Sequence, residues 1–194
     1  MNTKQITCSP QSGGKLVCPW QFAPFMDNLL RPLIHNPLKL FRPYVRAGMT
    51  VMDVGCGAGF ASLGLADLVG EEGQVISVDL QSKMLDMLKK RAAKAGLDSR
   101  IHTHLCATNR IGIEAELDFA VAFFMLHEVP DDRAFLEELY TLLKTGGMFF
   151  LTEPKVHVGR RKFELAIEKA QSVGFTVMKR PAVRFGRAVL LVKS

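Results

Sequence analysis

Residues 50–59 read TVMDVGCGAG, and this stretch decides the fold class of the chain. Its first half, Thr50–Val54, is mostly apolar and predicts a buried strand. Three alternating glycines follow, and they predict a tight turn because glycine adopts backbone conformations that side chains disfavour. The next run, Phe60–Val69, predicts a helix that ends at Gly70. Strand, glycine turn and helix in this order are typical of an α/β protein.

The same alternation continues downstream. Further strands are predicted at Gln74–Asp79, Arg100–Leu105, Leu117–Phe123 and Met148–Thr152, and further helices at Ser82–Ala95, Asp131–Lys144 and Arg161–Ser172. Helical connections of this kind give a parallel sheet covered on both faces. The last two strands, Phe175–Lys179 and Ala188–Val192, have no helix between them. They can therefore pair antiparallel, which reverses one strand at or near the sheet edge.

Composition excludes several classes of protein. Hydrophobic residues make up 48% of the 194 residues and charged residues 23%, as in a globular core. The longest apolar run, Phe119–Leu126, is too short to span a membrane, and residues 1–11 lack the pattern of a secretory signal. The four cysteines are widely spaced and predict free thiols. We therefore expect a soluble, cytoplasmic protein that does not bind membranes.

The charge is basic, with 25 Lys and Arg against 19 Asp and Glu, for a net charge of +6. This balance permits an anionic ligand or nucleic acid but argues for neither. The basic clusters are 89–91, 160–162 and 179–180. We predict that they are solvated faces of helices and hairpins.

The glycine turn carries the first chemical signal. Bare backbone at Gly55, Gly57 and Gly59 allows close approach of a ligand. Asp53 lies two residues before the first glycine, where its charge would repel a pyrophosphate but attract an ammonium or sulfonium group. The alternative is a tight turn with no ligand.

The second signal is Asp79, at the end of the second predicted strand. A carboxylate at this place accepts hydrogen bonds from both hydroxyls of a ribose. The alternative is that Asp79 caps the helix that begins near Ser82. A ribose together with a cationic tail and no phosphate describes S-adenosylmethionine.

Four segments in order then resemble the motifs of class I S-adenosylmethionine-dependent methyltransferases of the small prokaryotic type: VMDVGCGAGF, VISVDLQSKML, LDFAVAFFMLHEVPD and LLKTGGMFFLTEP. The resemblance covers the chain from about residue 36 to the end. It implies an α/β fold, a Rossmann-like three-layer sandwich with a mostly parallel seven-stranded sheet. The implied strand order is 3-2-1-4-5-7-6, with the last strand antiparallel. The implied organisation is a lead segment with cover helices over 1–45 and the cofactor-binding domain over 46–194.

The resemblance also implies positions for the cofactor contacts. The methionine moiety would be held by Asp53, Gly55, Cys56, Gly57 and Gly59, the ribose by Asp79, the adenine by Leu80 and Met84, and the methionine end again by Ala122 and Phe123. Cys106 and Ala107 would flank the adenine edge. The acceptor for the adenine amino group would be the side chain of Thr108 or Asn109, or a backbone carbonyl.

Three residues are candidates for catalysis. His127 and Glu153 follow the fourth and fifth predicted strands, with His157 four residues further on, so they could gather beside the methyl group. Histidine is the usual general base near neutral pH. Other readings stay open: Glu153 bonds backbone, Glu128 and Asp131 cap the next helix, or His and Glu side chains hold a metal. We expect no resident metal.

The acceptor is expected to be a small molecule, because no separate recognition domain is visible. In the family the N-terminal segment often covers the active site, so Trp20 and Phe25 would wall the pocket, or their helix merely covers the sheet. Rival functions are a nucleic-acid or protein methyltransferase, a nicotinamide-dependent oxidoreductase, and a non-catalytic protein that binds S-adenosylmethionine. The chain is expected to be a monomer or a homodimer.

Overall fold

A computed structural model describes residues 35–194, so the predictions for Trp20, Phe25 and their helix lie outside the described part. The helices are α1 (Pro37–Phe41), α2 (Phe60–Val69), α3 (Ser82–Ala95), α4 (Asp132–Leu142) and α5 (Arg160–Val173). The strands are β1 (Thr50–Val54), β2 (Gln74–Asp79), β3 (Ile101–Leu105), β4 (Leu117–Phe123), β5 (Leu143–Pro154), β6 (Phe175–Lys179) and β7 (Gly186–Lys193). Single turns of 3₁₀ helix lie at Asp98–Arg100 and Leu126–Glu128.

The seven strands form one sheet in the order β3-β2-β1-β4-β5-β7-β6. The pairs among β1 to β5 are parallel, and β7 runs antiparallel to both β5 and β6. Helical connections place the parallel strands side by side, as the strand–helix alternation predicts. The predicted fold and strand order are confirmed.

Several predicted boundaries differ from the structure. Helix α4 ends at Leu142, because Leu143 is already extended and pairs with Leu117 of β4. Strand β5 is therefore longer than the predicted Met148–Thr152. Strand β7 begins at Gly186, which pairs with Pro154 at the far end of β5.

The core lies in two layers on opposite faces of the sheet. One layer contains α1 and α2 side chains, among them Phe41 and Leu65, packed against Phe119 and Phe150. The other packs α4 and α5 against the opposite face and includes Leu136. Alternating strand residues enter opposite layers, so Phe149 and Phe150 are both fully buried but on different faces.

Within residues 35–194, no helix combines the length and the apolar character needed to cross a membrane.

Candidate functional site

The glycine turn after β1 is held by its neighbours on two sides. The amides of Gly55 and Cys56 donate to the carbonyl of Val78 at 2.8 and 3.0 Å. Arg91 of α3 donates to the carbonyl of Ala58 at 2.8 Å. The loop is therefore fixed between β2 and α3.

The three glycines serve different purposes. A Cβ at Gly55 would lie 2.8 Å from the Met125 side chain, and one at Gly59 would lie 2.3 Å from Leu88 Cδ1. A Cβ at Gly57 would meet no atom within 4 Å. Gly55 and Gly59 thus allow close packing of the protein on itself, whereas Gly57 faces open space where a ligand can approach.

Asp53 lies inside the structure and is 1% exposed. Ser62 Oγ donates to its carboxylate at 2.5 Å, and Ser77 Oγ donates to Ser62 Oγ at 2.9 Å. This network joins β1, α2 and β2 beneath the glycine turn. Its observed contacts give Asp53 a role in bracing the turn, and its direct contact with a cofactor stays a prediction.

Asp79, at the end of β2, reaches across to the same turn. Its two carboxylate oxygens accept from the amides of Gly57 and Gln81, both at 2.8 Å. Burial raises the pKa of Asp79, and hydrogen bonds from the amides of Gln81, Gly57 and Leu80 oppose that rise. Each oxygen keeps a further lone pair, so the carboxylate can still accept from two hydroxyls.

The residues predicted to contact adenine lie around Asp79. Met84 is 7% exposed and packs against Ala58 of the glycine loop. The amide of Cys106 donates to the carbonyl of Asp79 at 3.1 Å, and Ala107 pairs with Arg110 in a short turn. Leu80, Met84, Cys106 and Ala107 therefore occupy one region, and their contact with adenine stays a prediction.

The two thiols of this region are protonated at neutral pH. Burial, with the nearby Asp53 and Asp79 carboxylates, raises the pKa of Cys56 well above its ordinary value. Burial and Asp79 raise the pKa of Cys106 to about 11. A protonated thiol is a poor nucleophile and metal ligand, so the chemistry falls to other groups.

The end of β4 is largely buried. Ala122 is fully buried, and Phe123 is 7% exposed. The His35 ring lies 5.5 Å from the Phe123 ring and 5.7 Å from the Phe124 ring, and His35 Nε2 lies 2.6 Å from the carbonyl oxygen of Arg184. Phe124 has a positive φ of 66°, which turns the chain sharply after the strand.

This turn brings the predicted catalytic residues together. His127 Nδ1 lies 2.5 Å from Glu153 Oε2, and the His127 amide donates to Glu153 Oε1 at 3.2 Å. The His157 ring is parallel to that of His127, with centroids 5.9 Å apart. Glu153 is 2% exposed. The carboxylate therefore fixes both the backbone and the ring of His127.

The contacts of Asp131 and Glu153 bear on the alternatives left open for these two residues. Asp131 caps α4 by accepting from the amides of Arg133 and Ala134, as one reading had it. Glu153 bonds backbone and also the His127 ring. Across residues 35–194, no group of three or more His, Cys, Asp or Glu side chains is arranged to hold a metal ion.

The residues present fit S-adenosylmethionine. Gly57 leaves an open cradle, and Asp79 beside it offers acceptors for ribose hydroxyls. Met84 supplies an apolar surface next to them. The predicted set therefore meets at one edge of the sheet, with Asp53 and Ala122 buried beneath the surface of the site.

Sequence reasoning missed Ser62, Ser77 and Arg91. Ser62 is a fully buried hydroxyl in the mostly apolar helix α2, and Ser77 is its counterpart in β2. A polar residue in a buried apolar run signals a hydrogen-bond network, because unpaired polar groups are costly in a core. That signal was present in the sequence.

Comparison with known proteins supports the same identity. Residues 46–179 match the family model described as methyltransferase domain. The demethylmenaquinone methyltransferase of Oceanobacillus iheyensis is 36% identical over 106 residues, covering 55% of this chain and 44% of that protein. That of Staphylococcus epidermidis is 32% identical over 133 residues, covering 66% and 54%. The chain spans about half the length of the curated relatives it matches.

Solved structures agree on the fold. An S-adenosylmethionine-dependent methyltransferase from Aquifex aeolicus superposes with a TM-score of 0.82 at 24% identity, covering 92% of this chain and all of that one. The [4+2]-cyclase SpnF superposes with a TM-score of 0.69 at 16% identity, covering 81% of this chain and 80% of that one. The fold alone therefore does not fix the reaction. Taken with the match over residues 46–179 and the geometry of the glycine turn, these likenesses show that the chain belongs to the class I S-adenosylmethionine-dependent methyltransferase family.

Proposed function

We propose that this protein transfers the methyl group of S-adenosylmethionine to a small-molecule acceptor, with His127 as the general base. The contact between His127 Nδ1 and Glu153 is the observation that supports this most directly. The relatives named demethylmenaquinone methyltransferase favour a small acceptor, since the compound in their name is a small molecule.

The contact with Glu153 determines which ring nitrogen of His127 can act. An ionised carboxylate only accepts hydrogen bonds, so Nδ1 carries the proton that is shared with Glu153. Nε2 is then the nitrogen with a lone pair for the acceptor. Glu153 is a positioning residue in this proposal, because it acts through His127.

The position of His127 suits a base near the methyl group. Met125, two residues earlier, is the side chain that a Cβ at Gly55 would strike at 2.8 Å. The turn that carries His127 therefore rests on the glycine loop, at the carboxyl edge of the sheet where ligands of such folds bind.

The chemistry divides between the cofactor and the protein. When bound, S-adenosylmethionine supplies an electrophilic methyl group and leaves as S-adenosyl-L-homocysteine, with the electron pair of the broken bond on sulfur. His127 Nε2 accepts the proton of the acceptor hydroxyl, amine or thiol as that atom bonds to carbon, and later releases it to solvent. A positioned base contributes about 10²–10⁴-fold to such a reaction.

The test of the activity is incubation with methyl-labelled S-adenosylmethionine and a fractionated cell extract. Small-molecule, protein and nucleic-acid fractions are counted separately. Label in the small-molecule fraction supports the proposal. Label confined to nucleic acid or protein replaces it with one of those substrate classes, and tight cofactor binding without transfer to any fraction indicates a non-catalytic protein.

His127→Ala tests the base once the acceptor is known. We expect kcat to fall about 10²–10⁴-fold with cofactor affinity unchanged, and added imidazole to restore part of the lost kcat.

Glu153→Gln should also lower kcat but not cofactor affinity, because Gln cannot balance the charge of the protonated ring. His102→Ala, at an exposed position on the far edge strand β3, is the matched control and should retain full activity. Unchanged turnover in His127→Ala contradicts the assignment.

A further inference from the structure

A second concave surface lies beside the proposed site, at the start of β7. It is a pocket of about 330 Å³ lined by the N-terminal part of α5, the segment after β5 and the connection between β6 and β7. Its apolar wall includes Phe163, Pro181 and Val183. The volume is at the lower end of the range for small-molecule sites.

The polar lining of this pocket is strongly positive. Its lining includes four cationic residues, Lys155, Arg160, Arg180 and Arg187, against one acidic residue, Glu164. That carboxylate is already taken, because Arg180 donates to both of its oxygens at 2.7 Å. The remaining three cations make no ion pair with a carboxylate among the lining residues, although the charge of Arg160 also helps to lower the pKa of Glu164.

The three cations have donors to spare. Lys155 and Arg160 are exposed. The Lys155 amide donates to the carbonyl of Phe185 at 2.9 Å, but neither side chain makes a hydrogen bond to another residue in the described part of the chain. Arg187 donates through Nη1 to the carbonyl of Val158 at 3.1 Å, which uses one of its five N–H groups. Like charges gathered around one concavity repel each other, and an anion there would relieve that repulsion.

The pocket adjoins the proposed acceptor site. Arg187 pairs with Glu153 in the register of β7 and β5, and Glu153 is the residue that holds His127. Directly opposed residues of an antiparallel pair have Cβ atoms about 4.5–5.5 Å apart on the same face. Gly186 lines the pocket, and a Cβ there would lie 3.2 Å from the Phe124 ring at the end of β4. A single small molecule can therefore reach both places.

We propose that this pocket binds an anionic group, a carboxylate or a phosphate, of the methyl acceptor, through Lys155, Arg160 and Arg187. This inference rests on the proposed small-molecule methyl transfer and narrows its substrate class. The basic residues at 160 and 180 are then parts of a binding pocket and not only of solvated faces.

Binding of the anion can be measured without any acceptor or cofactor. The full chain is titrated with inorganic phosphate and, separately, with benzoate, while the amide resonances of Gly186 and Arg187 are followed by NMR. We expect saturable shifts with at least one probe, and the preferred probe distinguishes phosphate from carboxylate. Arg160→Gln and Lys155→Gln should each weaken binding about tenfold, as expected for loss of one charge-assisted hydrogen bond.

Lys162→Gln is the matched control, because Lys162 is an exposed cation on the same helix that does not line the pocket. It should leave the affinity for both probes unchanged. Equal weakening in Lys162→Gln, or no saturable shift with either probe, overturns the proposal. A third outcome also overturns the proposal: neither small anion binds, but the unaltered protein binds a short RNA and Arg160→Gln does not. That outcome assigns the surface to nucleic acid.

The transfer assay then separates this inference from the proposed function. Labelled small-molecule product is passed over an anion-exchange resin at neutral pH. Two results together support the anionic acceptor. The product is retained on the resin, and Arg160→Gln makes it with a KM raised about tenfold and an unchanged kcat. Labelled product in the flow-through, made equally well by Arg160→Gln, overturns the anionic acceptor and leaves the methyl transfer intact. No labelled small molecule at all overturns the function itself, whatever the anion titration shows.

Discussion

At the scale of single residues, Asp79 fixes the glycine turn and is also the predicted ribose contact. Its carboxylate accepts hydrogen bonds from the backbone amides of Gly57 and Gln81. The sequence predicted Asp79 as a ribose acceptor but could not show that the same group fixes Gly57. Position in the chain indicates which strand end a residue occupies, whereas a contact 22 residues away depends on the packing of β2 against β1.

Asp79→Asn should weaken the binding of S-adenosyl-L-homocysteine about tenfold to hundredfold, because a charged acceptor of hydrogen bonds is lost. Isothermal titration calorimetry measures the change. Asp67→Asn, on the exposed face of α2, is the control and should bind as the unaltered protein does. Equal affinities in both variants would remove Asp79 from the ribose site.

Asp79 also predicts a dependence of stability on pH. Burial raises the pKa of Asp79 in the folded protein, so between the ordinary and the raised pKa the folded state holds a proton that the unfolded chain has released. Stability should therefore decrease as pH rises from about 4, where an unperturbed aspartate begins to ionise. Urea unfolding across this interval should show the decrease in the apo protein and a smaller one in Asp79→Asn. A steeper decrease in the variant would contradict the direction of the shift.

Substituting alanine at Gly55 and at Gly57 compares a glycine that allows close packing within the protein with one that leaves space for a ligand. Both have positive φ, so alanine is strained at either by about 1–2 kcal/mol. Only at Gly55 does the new Cβ strike Met125, which adds about 1–3 kcal/mol of overpacking. Thermal unfolding should therefore show the larger loss for Gly55→Ala, with partial recovery when Met125→Ala is added. Gly57→Ala should chiefly weaken cofactor binding, and the opposite pattern would reverse these two roles.

At the scale of elements, α4 holds the loop that precedes β4. The amides of Ile111 and Gly112 both donate to Glu138 of α4, each at 2.8 Å. This loop follows Cys106 and Ala107 at the predicted adenine edge. Helix periodicity predicted the buried face of α4, but Glu138 is a polar position whose partner cannot be read from a pattern.

Glu138→Gln should destabilise the protein by about 1–3 kcal/mol, because an NH2 group replaces one of the two oxygens that accept from Ile111 and Gly112, and that group cannot accept a hydrogen bond. Hydrogen exchange at Ile111 and Gly112 should accelerate. Glu137→Gln is the control, since Glu137 only pairs with Arg133 at the surface, where ion pairs contribute about 0–1 kcal/mol. Exchange rates that change equally in both variants would show that Glu138 does not hold the loop.

At the scale of the whole molecule, the sheet joins two core layers into one unit. Leu65 in one layer and Leu136 in the other are both fully buried, and the sheet separates them. Either change to alanine should cost about 2–5 kcal/mol. In Leu65→Ala, amide protection in β5 should fall together with that in α2, because both layers unfold in one transition. Loss of protection confined to α2 would show two independent units.

The fold followed from the sequence because strand and helix signals alternate and the glycine turn marks the first strand. The sequence predicted that His127 and Glu153 lie close together, because the carboxyl ends of the parallel strands β4 and β5 meet at the same edge of the sheet. It did not predict the contact between the two side chains. The cationic pocket lined by α5 and the connection between β6 and β7 was not predicted. Lys155, Arg160, Arg180 and Arg187 come from separate stretches of chain, and only the return of β7 to the end of β5 brings them together.

The reversed direction of β7 has a consequence for how such a protein can change over time. Because β7 starts, and does not finish, at the edge where β5 ends, the connection at residues 180–185 borders that edge without being attached to the glycine turn. Substitutions in this connection could change which molecules are methylated. The residues that bind the methyl donor would be inherited unaltered.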